Sequence, residues 1–145
     1  MGAVGGCQAI SGRVKIKGLV VRGGAFHNKI VEEVRAVFLS YGWEVETEFC
    51  CQRNEITTFF DVYAVRGDAR IACEVETSVR HVADNVKKAE SVGVRLWVVV
   101  PSRRLCRLVE QKLDGAGSSG FRGEAVVLLV GEVERKLGAV EGDRV

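Results

Sequence analysis

The stretch Phe59–Ser78, FFDVYAVRGDARIACEVETS, limits the folds open to this chain more than any other. Two β-rich runs, Thr58–Val65 and Ala69–Glu76, are separated by Arg66-Gly67-Asp68. Gly-Asp between such runs signals a hairpin, because glycine accepts the positive φ of a tight reversal. Side chains alternate between the faces of a strand. Ile71, Cys73 and Val75 therefore go one way, and Ala72, Glu74 and Glu76 the other. Two carboxylates on one face of so apolar a strand are costly to bury without partners. Asp61 lies on the neighbouring strand, within lateral reach in a simple register. Clustered carboxylates repel one another unless protons or a cation compensate, and a hard divalent ion held by oxygens is the economical solution. The competing reading is a hairpin whose acids are simply solvated. The apolar character of both strands argues against it.

The 145 residues fit one domain, long enough to bury about two-thirds of the unfolded surface. A hydrophobic content of 47% with 28% charged residues excludes a disordered chain. A net charge of +2 does not by itself mark a nucleic-acid binder. Basic residues would have to cluster locally, as Arg13, Lys15, Lys17 and Arg22 do. The five cysteines (Cys7, Cys50, Cys51, Cys73, Cys106) are odd in number and lack C-x-x-C spacing, which points to neither a zinc site nor a secreted disulfide framework. No charged-then-apolar leader opens the chain and no apolar run reaches membrane-spanning length, so the expected compartment is the cytoplasm.

Residues 1–24 read as a flexible or β-like arm. A helix is expected from about Ala25 to Tyr41, ended by Gly42, with Phe26, Ile30, Val34, Val37, Phe38 and Tyr41 in one apolar stripe. On that stripe Glu33 sits at the edge beside Ile30 and Val37, Glu32 points away, and His27 reads as a core histidine. Trp43–Cys50 alternates as a half-exposed strand with Glu44, Glu46 and Glu48 to solvent, and Gln52–Glu55 forms a polar turn. Thr77 or Ser78 can cap a helix running to about Val92, with Val79, Val82, Val86 and Ala89 buried. His81, Asn85 and Lys88 line its flank. LWVVV (Leu96–Val100) has the continuous apolar character of a strand covered on both faces. A helix opened by Pro101-Ser102 follows, with Leu105, Leu108, Val109 and Leu113 on one side. DGAGSSG (Asp114–Gly120) is a connection, and EAVVLLV (Glu124–Val130) a last strand before a short helix or tail. The core is thus expected over 25–113, with a linker, extra strand and tail over 114–145, in a single domain.

The order helix, three strands, helix, strand resembles the αβββαβ core of the PD-(D/E)XK, or restriction-endonuclease-like, nuclease superfamily. Its signature is an Asp, a hairpin, then (D/E)-x-K. Asp61 and Glu74 match the acids, and Glu76 stands where the family usually has Lys. EVETSVRHVADNVKKAESVG is similar to a subgroup with E-x-E-T, an Asn and a Lys in the following helix. The resemblance implies an α/β fold with a mixed sheet flanked by helices, and Mg²⁺- or Mn²⁺-dependent hydrolysis of DNA phosphodiesters. It implies Asp61 and Glu74 as metal ligands and Glu76 as a third ligand or the base. Glu33 would order a metal-bound water, and Lys88 would offset phosphate charge. Small single-domain members resemble junction resolvases and work as homodimers, since cutting two strands needs two sites. The alternative is a catalytically inactive nucleic-acid- or protein-binding module that retains the fold.

Overall fold

In the computed structural model the hairpin forms the middle of a six-stranded sheet. The structure describes residues 8–9, 24–53, 55–115 and 125–143. The basic cluster Arg13, Lys15, Lys17 and Arg22, together with Cys7 and the connection 116–124, lies outside the described residues. In chain order the elements are β1 (Gln8–Ala9), α1 (Ala25–Ser40), β2 (Glu44–Arg53), β3 (Ile56–Arg66), β4 (Ala69–Val75), α2 (Val82–Val92) and β5 (Arg95–Val100). They are followed by α3 (Arg103–Gly115), β6 (Ala125–Leu129), a 3₁₀ turn (Val130–Glu132) and α4 (Val133–Asp143). The strands lie side by side in sequence order; β1 to β4 are antiparallel, and β4, β5 and β6 are parallel. From α1 to β5 this is the αβββαβ order of a restriction-endonuclease-like core with a mixed sheet, extended at the C-terminus by a helix, a strand and a final helix.

A sheet that is apolar on both faces must be covered on both. On one face Ile71, Cys73, Val75, Trp97 and Val99 pack with Ile30, Val31, Val34 and Phe38 of α1 and Val133 and Leu137 of α4. On the other, Ala72, Leu96, Val98 and Val100 pack with Val82, Val86, Ala89 and Val92 of α2 and Val109 of α3. The turn between β3 and β4 is tight, with Arg66 opposite Ala69, and Gly67 takes the left-handed φ of 58° that a side chain would resist.

Several local expectations are corrected. Phe26 is 58% exposed while Val31 is buried, which rotates the apolar stripe of α1 toward Val31. The β2–β3 hairpin is longer than its polar residues suggested, with Arg53 paired to Ile56. Its far edge is met by β1, a pairing that relieves an otherwise open strand. α2 begins at Val82, after a run of bends and turns, and is not capped at Thr77 or Ser78. Leu108 is 41% exposed because Val109, one position on, takes the buried face of α3. Cys51 is disulfide-bonded, against the absence of a disulfide framework read from the spacing, while Cys50, Cys73 and Cys106 are free. Burial, reinforced by the nearby Glu74 and Asp61 charges, pushes the Cys73 thiol well above the usual range, which leaves it inert in the folded chain. Among the described residues no helix is long and apolar enough to cross a membrane.

Phe38 ties three elements together, its ring centroid 5.4 Å from Trp43 edge-on and 5.5 Å from Trp97. It has no solvent exposure. Phe38→Ala is expected to cost about 3–5 kcal/mol in urea unfolding followed by tryptophan fluorescence. A loss under about 1 kcal/mol would show that α1 is not anchored through this ring.

Candidate active site

The site begins where two ladders break. The β2–β3 ladder passes from Thr47 opposite Val62 to Phe49 opposite Phe60, omitting Glu48 and Asp61. Glu48 has φ 50°, the left-handed region that costs a non-glycine residue about 1–2 kcal/mol. Around this point the strands exchange faces. Val45 and Val62 pack on the α1 side, Phe49 and Phe60 on the α2 side. Residues two apart in a regular strand share a face, so Phe60 and Val62 can divide only because the chain twists at Asp61. The β3–β4 ladder ends at the same place, its last pair being Val62 and Cys73. Continuing that register by one residue sets Asp61 opposite Glu74. From there β4 keeps only its other neighbour, with Glu74 paired to Val98 and Val75 to Val99 on β5.

Asp61 fills the gap left by the parting strands. Its Oδ2 accepts the Val75 N–H at 2.8 Å, replacing a ladder bond that β3 no longer supplies. The same oxygen lies 3.3 Å from His27 Nε2, whose Nδ1 is 3.3 Å from Asn28 Oδ1. His27 is therefore not a plain core histidine; it joins α1 to the central acid. His27, Asn28, Val31 and Glu32 of α1, Thr47 and Glu48 of β2 and Asp61 of β3 line a cleft of about 150 Å³. Glu32 also meets Arg35 at 3.4 Å in an exposed pair. Glu33 is exposed and does not line this cleft. The stripe centred on Ile30, Val31, Val34 and Phe38 turns the Glu32 flank, not the Glu33 flank, toward β2 and β3.

Glu74 and Glu76 follow the expected alternation, away from Cys73 and Val75. Glu74 is 1% exposed and Glu76 7% exposed. Glu76 lies just past the end of β4, fixed by its N–H donating to Val99 O at 2.9 Å. Its Oε2 accepts a short hydrogen bond from the buried Asn85 amide on α2. Lys88 is half-buried one turn further along that helix. Apart from Thr58, every buried polar side chain among the described residues (Asp61, Glu74, Glu76 and Asn85) belongs to this one region. Buried carboxylates are expensive unless paired or hydrogen-bonded, and their confinement to one place marks it as built for a purpose other than stability.

Among the described residues no three His, Cys, Asp or Glu side chains converge as a ready-made metal cage. Mg²⁺ can be held by one or two carboxylates with waters completing its shell, and Asp61 and Glu74 are the two acids that the continued β3–β4 register sets opposite each other. Sequence reasoning passed over His27 and Glu48. The available signal for His27 was a polar His-Asn pair set into the apolar stripe of α1; for Glu48 there was none, since its backbone conformation is dictated by the crossing of the strands.

No family model matches the chain, and no curated protein matches it in sequence. Among solved structures it is similar to Can2 from Sulfobacillus thermosulfidooxidans in complex with cyclic tetra-adenylate, with a TM-score of 0.50 and 10% identity over 79% of this chain and 34% of that one. It is also similar to AF1548, a protein of unknown function, with a TM-score of 0.46 and 14% identity over 69% of this chain and 57% of that one. The chain thus spans about a third of Can2 and somewhat over half of AF1548. The likeness to Can2 is one of fold, and it is compatible with a PD-(D/E)XK-like architecture.

The seat of Asp61 has a measurable consequence without any metal. Asp61→Ala strands the Val75 N–H and is expected to cost about 1–3 kcal/mol, whereas Asp61→Asn keeps an acceptor and should lose clearly less. Urea unfolding in EDTA compares the two. Equal stabilities would mean that Asp61 does not bridge the parted strands.

Proposed function

We propose that this chain is a divalent-metal-dependent nuclease of the PD-(D/E)XK type, hydrolysing DNA phosphodiester bonds. The observation that carries the reading is the confinement of Asp61, Glu74, Glu76 and Asn85, all buried, to the point where β3 and β4 part. Asp61 and Glu74 would hold Mg²⁺ or Mn²⁺, which when bound supplies charge relief at the phosphate and at the leaving oxygen. Glu76 is the base. The Asn85 amide holds its carboxylate in one orientation, so that it can take a proton from a water as the water oxygen bonds to phosphorus. The ester oxygen leaves with the bonding pair and is protonated by solvent. Lys88, on the same helix as Asn85, offsets charge on the phosphate in place of the lysine that the E-x-E pattern lacks. Glu32, at the mouth of the cleft beside Asp61, orders water there, the role the sequence had assigned to Glu33. Cutting both strands of a duplex needs two such sites, and a homodimer working on branched DNA would supply them.

The test is cleavage of duplex, single-stranded, flap and four-way-junction DNA in Mg²⁺, Mn²⁺ or EDTA. Wild type should cut only with the metal. Asp61→Asn and Glu74→Gln should abolish cutting while remaining folded, and Glu76→Gln should slow it by about 100-fold or more. Undiminished cleavage by Asp61→Asn would sink the proposal. A folded protein that binds these DNAs and cuts none of them would favour the inactive binding module instead.

The two neighbouring acids of α1 separate cleanly. Glu32→Gln should reduce the cleavage rate and Glu33→Gln should leave it unchanged. The opposite pattern would show that the cleft beside Asp61 is not where water is ordered.

A further inference from the structure

Glu32, Glu33, Glu44, Glu46 and Glu48 are all exposed on α1 and β2. α3 instead opens with Arg103, Arg104 and Arg107, all exposed, and carries no acid until Glu110. Successive residues of a helix turn by about 100°, so these three arginines spread over one exposed flank, with Val109 directed into the core. Arg80, also exposed, lies in the segment between Glu76 and α2. None of the four arginines makes a salt bridge among the described residues.

Topology places this flank beside the buried acids. β4 and β5 are parallel, with Val75 opposite Val99, and the Glu76 N–H bonds Val99 O at 2.9 Å. Both strands therefore end at one edge of the sheet, the edge outside which open α/β sheets bind ligands. Only Pro101 and Ser102 separate Val100 from α3. Ser102 Oγ accepts the Leu105 N–H at 3.2 Å and Ser102 O accepts the Cys106 N–H at 2.9 Å, so the first turn of α3 is fixed at that edge. α2, whose Asn85 holds Glu76, packs against α3.

A phosphate approaching Asp61, Glu74 and Glu76 meets three acids, and Glu76 itself stands where a cation would be expected. Unpaired arginines at the same edge are the complementary charge, and a run of them suits a repeating anion better than a single one. We propose that Arg103, Arg104 and Arg107 of α3, with Arg80 beside them, form the surface that holds the sugar-phosphate backbone of a nucleic acid next to the acidic edge. The surface deepens the nuclease reading, on which the choice of ligand rests, but binding at it requires no cleavage.

The test is anisotropy of fluorescein-labelled duplex DNA, single-stranded DNA and single-stranded RNA in EDTA, so that hydrolysis does not enter. Wild type and the R103A/R104A/R107A variant are titrated at several salt concentrations. The variant should bind at least about 10-fold more weakly near 0.1 M salt, and its log–log salt slope should fall by about 2–3, close to 0.9 per lost phosphate contact. Arg135→Ala, on α4 in the opposite layer, should match wild type. The single charge reversal Arg107→Glu provides the same comparison should the triple variant fail to fold. Binding by wild type that neither variant weakens overturns the proposal, as does a wild type that binds none of the three probes. Arginine-dependent binding by a protein that cuts nothing upholds this surface and rejects the nuclease reading. Arginine-independent binding by a protein that does cut has the reverse meaning. The three probes show whether duplex DNA, single-stranded DNA or RNA is preferred.

Discussion

Asp61 Oδ2 accepts the Val75 N–H across the gap where β3 leaves β4, and the rest of the site depends on that bond. A hydrogen bond to a charged acceptor contributes about 1.5–3 kcal/mol. A ladder that simply ended here would leave the Val75 amide without its strand partner in a buried setting. The carboxylate therefore lets the sheet divide. β4 can follow β5 to the parallel edge while β3 stays with β2. Glu74 and Glu76 are carried to that edge because β4 leaves, and Asp61 stays buried because it is what bridges the opening.

The division also explains why two cores meet at a polar seam. The α1–α4 layer and the α2–α3 layer each have a continuous apolar lining, and a strand with strict alternation keeps each residue on one side. At Glu48 and Asp61 the hairpin changes sides, which brings a carboxylate to the border between the layers instead of into either. The left-handed Glu48 is the local cost of that crossing. His27 then reaches Asp61 from α1, and Asn85 reaches Glu76 from α2. Each layer contributes one neutral-capable polar side chain to orient one acid.

Much of this was legible in the chain. Gly67-Asp68 fixed the hairpin, and alternation from Ile71 to Glu76 placed both glutamates opposite the apolar set, where they lie. The apolar LWVVV run was enough to demand cover on both faces. The errors arose where position depends on a partner far away in sequence. Phe26 scores as apolar at helical spacing, yet it is exposed and Val31 is buried, so the stripe turns and Glu32, not Glu33, lines the cleft beside Asp61. The short β1 is explained by the open edge of β2, and periodicity within residues 1–24 could not announce it. The disulfide at Cys51 is likewise not encoded in the spacing of cysteines along the chain.

A third buried acid, Glu76, sets the electrostatic problem of this edge of the sheet. With Asp61, Glu74 and Glu76 in one region, burial and mutual repulsion act in the same direction, and each acid needs either a donor or a counter-ion. Val75 and His27 meet Asp61, and Asn85 meets Glu76. These bonds fix where the carboxylates point. Positive charge is carried by the helices that follow the two parallel strands, by Lys88 on α2 and the arginines that open α3. The part that holds the acids is thus separate from the part that carries these cations. The first is rigid because it is built from buried backbone bonds, and the second lies at the surface, where charge can be gained or lost without disturbing the sheet.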